Sequence, residues 1–315
     1  MDAMHYFIVN KTGGSGKAGR TWERVRRILE RLGAEYELHE STGAGSARAI
    51  AEGLLARNAG VVRIVVVGGD GTINEVLNGV SDFSRVRLGV IPTGSGNDFA
   101  RGAGIPRHFY NTPRALGMIL ASDGSSAVDV GRLSIVEGGA AGTSFLFGIS
   151  AGLGLDALVC KKTASSRLKF VLNRLHLGGL TYLLLTVQSL FSMTFTRARV
   201  MLDGVEQDFG RLIFLAAMNM RAEGGGVKMA PDARADDGRL SVCAACGIPR
   251  FAAFFALPFL AAGRHRRLRG FFLRNFRVLE LSADEPLAVH ADGEYAGDAS
   301  AVRIECLPGL LRLLV

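Results

Sequence analysis

The sequence predicts an α/β protein of two domains, in which a parallel α/β domain precedes a mainly antiparallel β domain. Between residues 5 and 121, β-type apolar runs alternate with helical patterns, which is typical of a parallel sheet with crossover helices. After about residue 122 the chain changes to short β-type runs joined by turn dipeptides. The length of 315 residues also favours two domains, which we place at residues 1–124 and 125–315.

The composition indicates a globular protein with an anionic partner. Hydrophobic residues make up 48% and charged residues 21% of the chain, a balance that argues against disorder. The net charge of +8 favours a nucleotide, a nucleic acid or an anionic lipid surface. The sequence contains no RNP-type aromatic platform and no helix-turn-helix spacing, so we do not expect nucleic acid as the partner. Near the amino end no basic stretch precedes an apolar run, so we expect a cytoplasmic protein without a secretory signal.

The first domain begins with an apolar strand at residues 6–10, followed by a loop rich in Gly, Ser and Lys. A helix is predicted from residue 21, with one side made of Trp22, Val25, Leu29 and Leu32. Further strands are predicted at residues 35–40, 61–67 and 88–91, with a helix through Leu54 and Leu55. Each polar loop follows the carboxyl end of a strand, where open α/β sheets bind ligands.

The pentapeptide Gly68-Gly69-Asp70-Gly71-Thr72 is the most informative of these loops. It precedes a predicted helix whose buried face consists of Ile73, Val76, Leu77 and Val80. Glycines at such a junction let a ligand approach main-chain N–H groups, and the helix N-terminus adds partial positive charge. The pentapeptide therefore predicts a phosphate-binding loop, although an ordinary strand-to-helix turn uses the same dipeptides.

Two other loops are weak signals alone. The loop at residues 10–17 is not a P-loop, because Ala18 follows Lys17 and Lys11 occupies the first glycine position. The loop at residues 92–98 lacks the third glycine of a dinucleotide fingerprint, since Phe99 stands there.

The three loops together, with Thr42 after another strand, make a stronger signal. Backbone amides from several loops can form a nest for the phosphates of a nucleotide. Asp70 and Asp98 would repel bare phosphate if they faced it. A bound Mg²⁺ would resolve that conflict, because it prefers oxygen ligands.

Asp-Gly pairs occur five times, and most such pairs are turns. Asp203-Gly204, between two β-type runs, is the clearest ordinary turn. Asp292-Gly293-Glu294 differs because it places two carboxylates two residues apart, beside His290. Asp236-Asp237-Gly238 is also more acidic than a turn requires. We expect one of these two motifs to supply a base and the other a metal site.

The second domain is predicted to contain short strands and two apolar stretches. The strands are expected at residues 128–136, 144–150, 198–202, 212–218, 240–245, 278–281, 287–290 and 302–306. Residues 178–195 carry no charge, and a buried or groove-lining helix is favoured there over a membrane span. Residues 251–262 lead into the basic run 264–269, which fits a contact with anionic lipid and fits a core helix with a solvated end equally well. Cys243 and Cys246 lack a second pair, so we expect buried structural thiols.

Several motifs resemble one known family. GGDGTINEVLNG (68–79) followed by IPTGSGNDFARG (91–102) resembles the diacylglycerol kinase catalytic-domain family, which includes bacterial lipid kinases and the sphingosine and ceramide kinases. The opening NKTGGSGKA, the GLGLDA stretch with Asp156, ARADDGRL and HADGE are similar to further motifs of that family, so the resemblance covers nearly the whole chain. Lys11 replaces the usual proline, which loosens the first loop but removes no ligand group.

The resemblance implies an NAD-kinase-like or flavodoxin-like α/β domain that binds ATP, a C-terminal β-sandwich, and a lipid alcohol as substrate. It implies ATP and Mg²⁺ as cofactors and a place in phospholipid biosynthesis. Peripheral contact with an anionic membrane surface is expected from the net charge and from the basic run beside residues 251–262. The implied ATP contacts are Asn10, Lys11, Thr12, Gly13, Gly14, Thr42, Gly68, Gly69, Asp70, Gly71, Thr72, Asn74 and Ser95, supported by Lys17, Asp98 and Arg101.

The resemblance also implies three catalytic residues and one structural metal site. Asp70 would bind the magnesium network, and Glu294 would accept a proton with the help of Asp292 on the same turn. A structural Mg²⁺ is implied at Asp237, together with the backbone carbonyls of Arg234 and Arg239.

Two alternatives to a lipid kinase stay open at this point. NAD kinase resembles the same GGDGT architecture, but the DDG and DGE motifs and the two apolar stretches argue against it. A non-catalytic, nucleotide-binding regulator at a membrane surface is the other alternative, and the intact Asp70, Asp292 and Glu294 argue against it. The sequence leaves open which lipid is phosphorylated and whether the chain forms a homodimer.

Overall fold

The computed structural model describes residues 4–14, 16–165 and 178–315, so Ser15 of the first predicted loop lies outside the described residues. The described chain forms two compact units. The first unit comprises the described residues up to Val130, with Ala235–Asp237 and Leu307–Val315. The second comprises Gly131–Arg234 and Gly238–Cys306.

The first unit is a parallel sheet with helices between its strands. Its strands are β1 (His5–Val9), β2 (Tyr36–Glu40), β3 (Val62–Gly68) and β4 (Val86–Pro92), in the spatial order β4-β3-β1-β2. Its helices are α1 (Lys17–Leu32), α2 (Ser46–Arg57), α3 (Asp70–Gly79), α4 (Asp98–Gly102) and α5 (Thr112–Ala121). Single turns of 3₁₀-helix lie at Phe83–Arg85 and Phe109–Asn111. This arrangement confirms the predicted parallel α/β fold.

The carboxyl-terminal residues of the chain belong to the first unit, whereas the predicted division assigned all of residues 125–315 to the second domain. The reason is strand pairing, because Leu313 pairs in parallel with Leu88 of β4. Strand β5 (Ser126–Gly138) begins in the first unit and continues into the second.

The core of the first unit follows the predicted helical faces, with one exception. Ile73, Val76 and Leu77 are buried, as predicted for α3. Trp22 is buried beside Phe7, with ring centroids 5.3 Å apart. Leu32 was predicted on the same side of α1 as Trp22, Val25 and Leu29, which are buried, but it is 62% exposed. It is the last residue of α1, and Gly33 then turns the chain away in the left-handed region, at φ 64°.

The second unit is mainly antiparallel, as predicted. Its further strands are β6 (Ser144–Phe147), β7 (Ser150–Gly154), β8 (Thr196–Leu202), β9 (Val205–Met218), β10 (Leu240–Cys246), β11 (Phe271–Phe276), β12 (Val278–Ala291) and β13 (Glu294–Leu313). The spatial order is β11-β10-β9-β7-β12-β13, β8 pairs with β9 and β12, and β5 pairs with β6 and β13. Its helices are α6 (Leu155–Ser165), α7 (Gly178–Ser192) and α8 (Arg250–Ala261).

Three strand predictions in this unit need correction. The single strand predicted at residues 144–150 is two strands, since β6 ends at Phe147 and β7 begins at Ser150. The separate strands predicted at residues 278–281 and 287–290 are one strand, β12, whose register against β13 shifts between Ser282 and Leu287. Polar residues lie between the two predicted strands, so the apolar pattern did not predict one continuous strand. Strand β11 was missed, because its sequence FFLRNF has no regular alternation of apolar and polar residues.

All four cysteines are free thiols. Cys243 is buried, as predicted, whereas Cys246 is half-buried. Burial raises the pKa of both of these thiols.

Helix α7 covers most of the uncharged stretch 178–195. None of the helices in the described ranges has the length and apolar character that crossing a bilayer requires.

Candidate functional site

The loops of the first unit begin side by side at the carboxyl edge of its sheet. Three backbone hydrogen bonds show this alignment: Asn10 N–H to the carbonyl of Val67 at 3.2 Å, Ser41 N–H to Val9 at 2.9 Å, and Thr93 N–H to Gly68 at 2.8 Å. The four loops therefore start level with one another, which is the geometry of a ligand site in an open parallel sheet.

Glycines let three of these loops pack backbone against backbone. A Cβ on Gly94 would lie only 2.9 Å from the Cα of Gly69, and a Cβ on Gly69 would lie 3.1 Å from the Cα of Gly94. Gly14 has φ +60°, and a Cβ there would lie 2.4 Å from the carbonyl oxygen of Thr93. Side chains at these positions would therefore push the loops after β1, β3 and β4 apart.

Asp70 fastens the loop after β3 to the helix after β4. One of its carboxylate oxygens accepts the backbone N–H of Asp98 at 3.0 Å, and the other accepts that of Phe99 at 3.1 Å. Burial raises the pKa of Asp70, and the Phe99 N–H and the charge of Arg101 offset this only in part. The carboxylate thus caps α4, and each oxygen keeps a lone pair for a further contact.

Asp98 and Arg101 form an ion pair beside this clamp. The Arg101 guanidinium binds the Asp98 carboxylate and also donates to the carbonyl oxygen of Gly96 at 3.0 Å. Asp98 is buried, whereas Arg101 is partly exposed. Burial and the neighbouring charge of Arg107 lower the pKa of Arg101, and Asp70 opposes that shift. The pair holds a guanidinium at the edge where the glycine loops meet.

Glu75 was missed by the sequence analysis, although it lies within the resembling segment. Its two carboxylate oxygens accept the backbone N–H groups of Gly45 and Ala47, each at 3.0 Å. It therefore occupies the N-terminus of α2, close to the predicted contact Thr42. No sequence pattern links Glu75 to a loop 28 to 30 residues away.

The anion-binding capacity of this edge consequently lies at the N-terminus of α3. The N-termini of α2 and α4 are occupied by Glu75 and Asp70, and the N–H groups of Lys17 and Ala18 at the start of α1 donate to the carbonyls of Gly14 and Gly13. The N-cap of α3, Gly69, has no side-chain cap. Unoccupied N–H groups at a helix N-terminus attract phosphate. Lys17, at the start of α1, adds a positive charge.

The first loop is held by Asn10, as its position before two glycines allows. Its Oδ1 accepts the N–H of Gly13 at 3.0 Å and the hydroxyl of Thr12 at 3.1 Å. Lys11 forms an ion pair with Glu40 at the end of β2. Lys11 therefore ties two loops together where the resembling family has a proline.

Other predicted contacts in this unit line the same edge. Thr42 and Ser95 are exposed, and Thr72 is buried. Two buried oxygens, Thr93 Oγ1 and Asn97 Oδ1, have no hydrogen-bond partner among the described residues. Buried oxygens of this kind are satisfied by water or by a bound ligand.

The Asp292-Gly293 turn in the second unit connects β12 to β13. Both residues have positive φ, 50° and 84°, and they join the paired residues Ala291 and Glu294. This is a two-residue hairpin turn of the kind that Asp-Gly favours. Glu294 is exposed.

Asp292 holds this turn in place. Its carboxylate accepts the backbone N–H groups of Gly148 at 2.9 Å, Ile149 at 2.8 Å and Ser150 at 3.0 Å. Its own N–H donates to the carbonyl of Ser150 at 2.8 Å. Asp292 is therefore a structural anchor, and Glu294 is the carboxylate of this turn that faces solvent.

A network of polar side chains lies behind the turn. His290 Nε2 lies 3.3 Å from Asp156, and His290 Nδ1 accepts the N–H of Gly293 at 3.2 Å, which assigns the proton to Nε2. Glu223 accepts the hydroxyl of Ser150. Because these side chains already bond within the network, we interpret it as a support for the turn and not as a metal site.

The network couples two titrating groups. Burial raises the pKa of Glu223, aided by the charges of Asp156 and Asp292 and opposed by His290. Burial opposes the charged form of His290, but the bond to Asp156 and the nearby carboxylates outweigh it and raise the pKa of His290. The backbone of Gly152 packs directly against this network, since a Cβ on Gly152 would lie 2.0 Å from Asp156 Oδ2.

The segment predicted to hold a structural Mg²⁺ follows Pro231. Its Asp237 is exposed, as are Arg234 and Arg239. The metal site there stays a prediction.

Comparisons with known proteins agree with this architecture. Residues 4–133 match the diacylglycerol kinase catalytic domain, and residues 149–315 match the YegS C-terminal NAD kinase beta sandwich-like domain. The diacylglycerol kinase of Bacillus subtilis (strain 168) is 30% identical over 92% of this chain and 89% of its own length.

Solved structures share the fold. A diacylglycerol kinase from Bacillus anthracis str. Sterne matches with a TM-score of 0.71 and 19% identity, over 99% of this chain and 96% of that one. An NAD kinase from Archaeoglobus fulgidus in complex with ATP matches with a TM-score of 0.51 and 17% identity, over 97% and 90% of the two chains. The domain matches and the 30% identical relative go further than fold, and this chain belongs to the diacylglycerol kinase family.

Proposed function

We propose that this chain is an ATP-dependent lipid kinase that transfers the γ-phosphate of ATP to the hydroxyl of a lipid alcohol, most simply diacylglycerol. Membership of the family supports this reaction class. The observation that carries the proposal is the exposed Glu294 carboxylate on a turn whose other carboxylate, Asp292, is fully engaged by backbone N–H groups. One carboxylate is thereby left for chemistry while the other fixes its position.

In the proposed reaction the lipid hydroxyl oxygen attacks the γ-phosphorus. The bond between that phosphorus and the β,γ-bridging oxygen breaks, ADP leaves, and the hydroxyl proton passes to Glu294. A carboxylate is a much weaker base than an alkoxide, so the proton moves late in the reaction, as the oxygen bonds to phosphorus. Loss of the Glu294 carboxylate should therefore affect turnover more than ATP binding.

The first unit would bind the nucleotide. The N-terminus of α3 would receive phosphate oxygens, and Lys17 and Arg101 would stabilise the charge that develops during transfer. The packed glycine loops would keep these donors in fixed positions.

The donor set at Asp70 fits a hydrated magnesium ion. Each Asp70 oxygen accepts one N–H and retains a lone pair, and carboxylate oxygen is the ligand type that Mg²⁺ prefers. When bound, Mg²⁺ neutralises part of the phosphate charge. Asp70 would hold the ion with the lone pairs that its bonds to α4 leave available.

The test is transfer of labelled γ-phosphate from Mg-ATP to diacylglycerol, a monoacylglycerol and a sphingoid base in mixed micelles, with NAD as a parallel acceptor. The proposal expects a labelled lipid with wild-type protein and none with Glu294→Gln. Labelled NADP without labelled lipid would replace it with NAD kinase activity. ATP binding without transfer to any of these acceptors would favour a non-catalytic nucleotide-binding regulator.

A further inference from the structure

The solvent side of α8 is a stripe of phenylalanines. Phe251, Phe255 and Phe259 lie four residues apart and are 69%, 68% and 49% exposed. The opposite side of the helix buries Ala253, Ala256 and Leu260, and Phe254 packs against the same core cluster. Three large aromatic side chains nevertheless lie on the solvent side, where helices of globular units normally carry polar residues.

No polar residue interrupts this stripe. The other exposed residues within α8 are Ala252, Pro258 and Ala261. An exposed apolar face of this kind marks an interaction surface, because water alone would favour polar side chains there.

Helix α7 extends the stripe. Leu184 and Phe191, two helical turns apart, are 52% and 42% exposed. The Phe191 ring lies 5.5 Å from that of Phe251 and 6.2 Å from that of Phe254. We call the five exposed side chains the phenylalanine patch: Leu184, Phe191, Phe251, Phe255 and Phe259.

A basic segment follows α8 directly. The Arg264 N–H donates to the carbonyl of Phe259 at 2.8 Å, so the segment starts beside the patch. Its exposed arginines are Arg264, Arg266, Arg267 and Arg269. Arg266 pairs with Asp232 at 2.7 Å, whereas the other three have no acidic partner within the described ranges.

We propose that the phenylalanine patch and Arg264, Arg267 and Arg269 dock this chain on an anionic lipid bilayer. The aromatic side chains would enter the boundary between headgroups and acyl chains, and the guanidinium groups would bind lipid phosphates. This docking proposal rests on the proposed function, which supplies the reason for contact with lipid. It adds the surface by which the chain would contact the bilayer. Docking needs no turnover, so the two proposals fail separately.

Charge selects lipid over a second copy of the chain. In a symmetric dimer the same patch occurs on both partners, so two sets of unpaired arginines would meet at one interface. Like charges at that interface would repel, whereas an anionic bilayer pairs with all of them.

The experiment is flotation of the full chain with vesicles of phosphatidylcholine, with and without phosphatidylglycerol. One variant carries Phe251→Ser, Phe255→Ser and Phe259→Ser. Its control carries Val136→Ser and Val205→Ser, two 56% exposed valines of the same unit. Thermal unfolding of each variant verifies that it is folded.

The charge variant carries Arg264→Gln, Arg267→Gln and Arg269→Gln. Its control removes three exposed arginines of the first unit, Arg27, Arg31 and Arg114, and so has the same net charge. Each arginine near an anionic surface contributes about fivefold to partitioning at low salt, so the triple variant should bind about 100-fold more weakly.

The proposal expects the wild type to prefer vesicles that contain phosphatidylglycerol. It also expects both triple variants to lose that binding, while the controls stay within about threefold of the wild type. Equal binding of wild type and phenylalanine variant would overturn it. A wild-type dimer that dissociates in the phenylalanine variant, without vesicle binding, would assign the patch to a second copy. Vesicle binding without phosphoryl transfer would support docking and remove the kinase proposal.

Discussion

The carboxylate of Asp70 accepts the backbone N–H of Phe99 at 3.1 Å, across 29 residues of sequence. A side chain just beyond β3 thereby holds α4, the helix that follows the neighbouring strand β4. Asp70 was expected to bind a magnesium network. Its two carboxylate oxygens also accept backbone N–H groups of α4, so the side chain has a structural role as well. The glycine loops are therefore organised by the same carboxylate that is proposed to support a magnesium ion.

Asp70→Asn tests this clamp. The amide nitrogen would face an N–H donor, so at least one buried hydrogen bond is lost, and we expect the free energy of unfolding to fall by about 1–3 kcal/mol. Urea unfolding measures the change. Asp82→Asn is the control, since that partly exposed carboxylate caps only a single turn at Ser84. Equal losses in the two variants would argue against a special role for Asp70.

Gly94→Ala tests the contact between the loops. The new Cβ would lie 2.9 Å from the Gly69 Cα, and the loops must separate to admit it. We expect weaker binding of a fluorescent ATP analogue and a loss of stability of about 1–3 kcal/mol. Gly53→Ala in α2 is the matched control, because nothing lies within 4 Å of its Cβ position. That control should stabilise the protein by about 0.5–1 kcal/mol and leave nucleotide binding unchanged.

Asp292→Asn separates support of the turn from chemistry. An asparagine oxygen cannot replace a carboxylate that accepts three N–H groups, so we expect urea unfolding to show a loss of about 2–3 kcal/mol. Glu294→Gln, at the exposed end of the same turn, should change stability by less than about 0.5 kcal/mol. A larger loss in the Glu294 variant would contradict the division of roles.

The His290 network predicts how stability depends on pH. Folding raises the pKa of both His290 and Glu223, so the folded state binds their protons more tightly than the unfolded state does. The stabilisation is complete below the ordinary values of about 6.5 and 4.3, and it is lost as the pH rises through the folded-state pKa values. Unfolding free energy should therefore decrease as the pH rises above these ordinary values.

Glu223→Gln is the variant that checks this assignment. It removes one titrating group and also lowers the pKa of His290, so the slope of stability against pH should flatten. Glu206→Gln, an exposed glutamate of the same unit, should keep the wild-type slope. A flat wild-type profile would show that the network does not couple to folding.

Local features of the fold were readable from the sequence. The buried face of α3 was predicted correctly, because the helical period of Ile73, Val76 and Leu77 is a local pattern. Long-range polar contacts were not predicted. Nothing in the sequence connects Glu75 to Gly45 or Asp292 to Ile149, since only the folded chain brings these groups together.

The apolar stretches show the same limit. Composition marked residues 251–262 as apolar but left open whether a core helix or a lipid contact lies there. Which side of α8 faces the core depends on how the helix packs against strands that are distant in sequence. A local sequence pattern does not contain that information.

The most direct test of the central claim is single-turnover phosphate transfer by Glu294→Gln, with ATP affinity measured on the same sample. The account predicts a transfer rate at least about 100-fold below wild type, with ATP affinity unchanged within about twofold. A transfer rate close to that of the wild type would show that Glu294 is not the proton acceptor and would contradict the account.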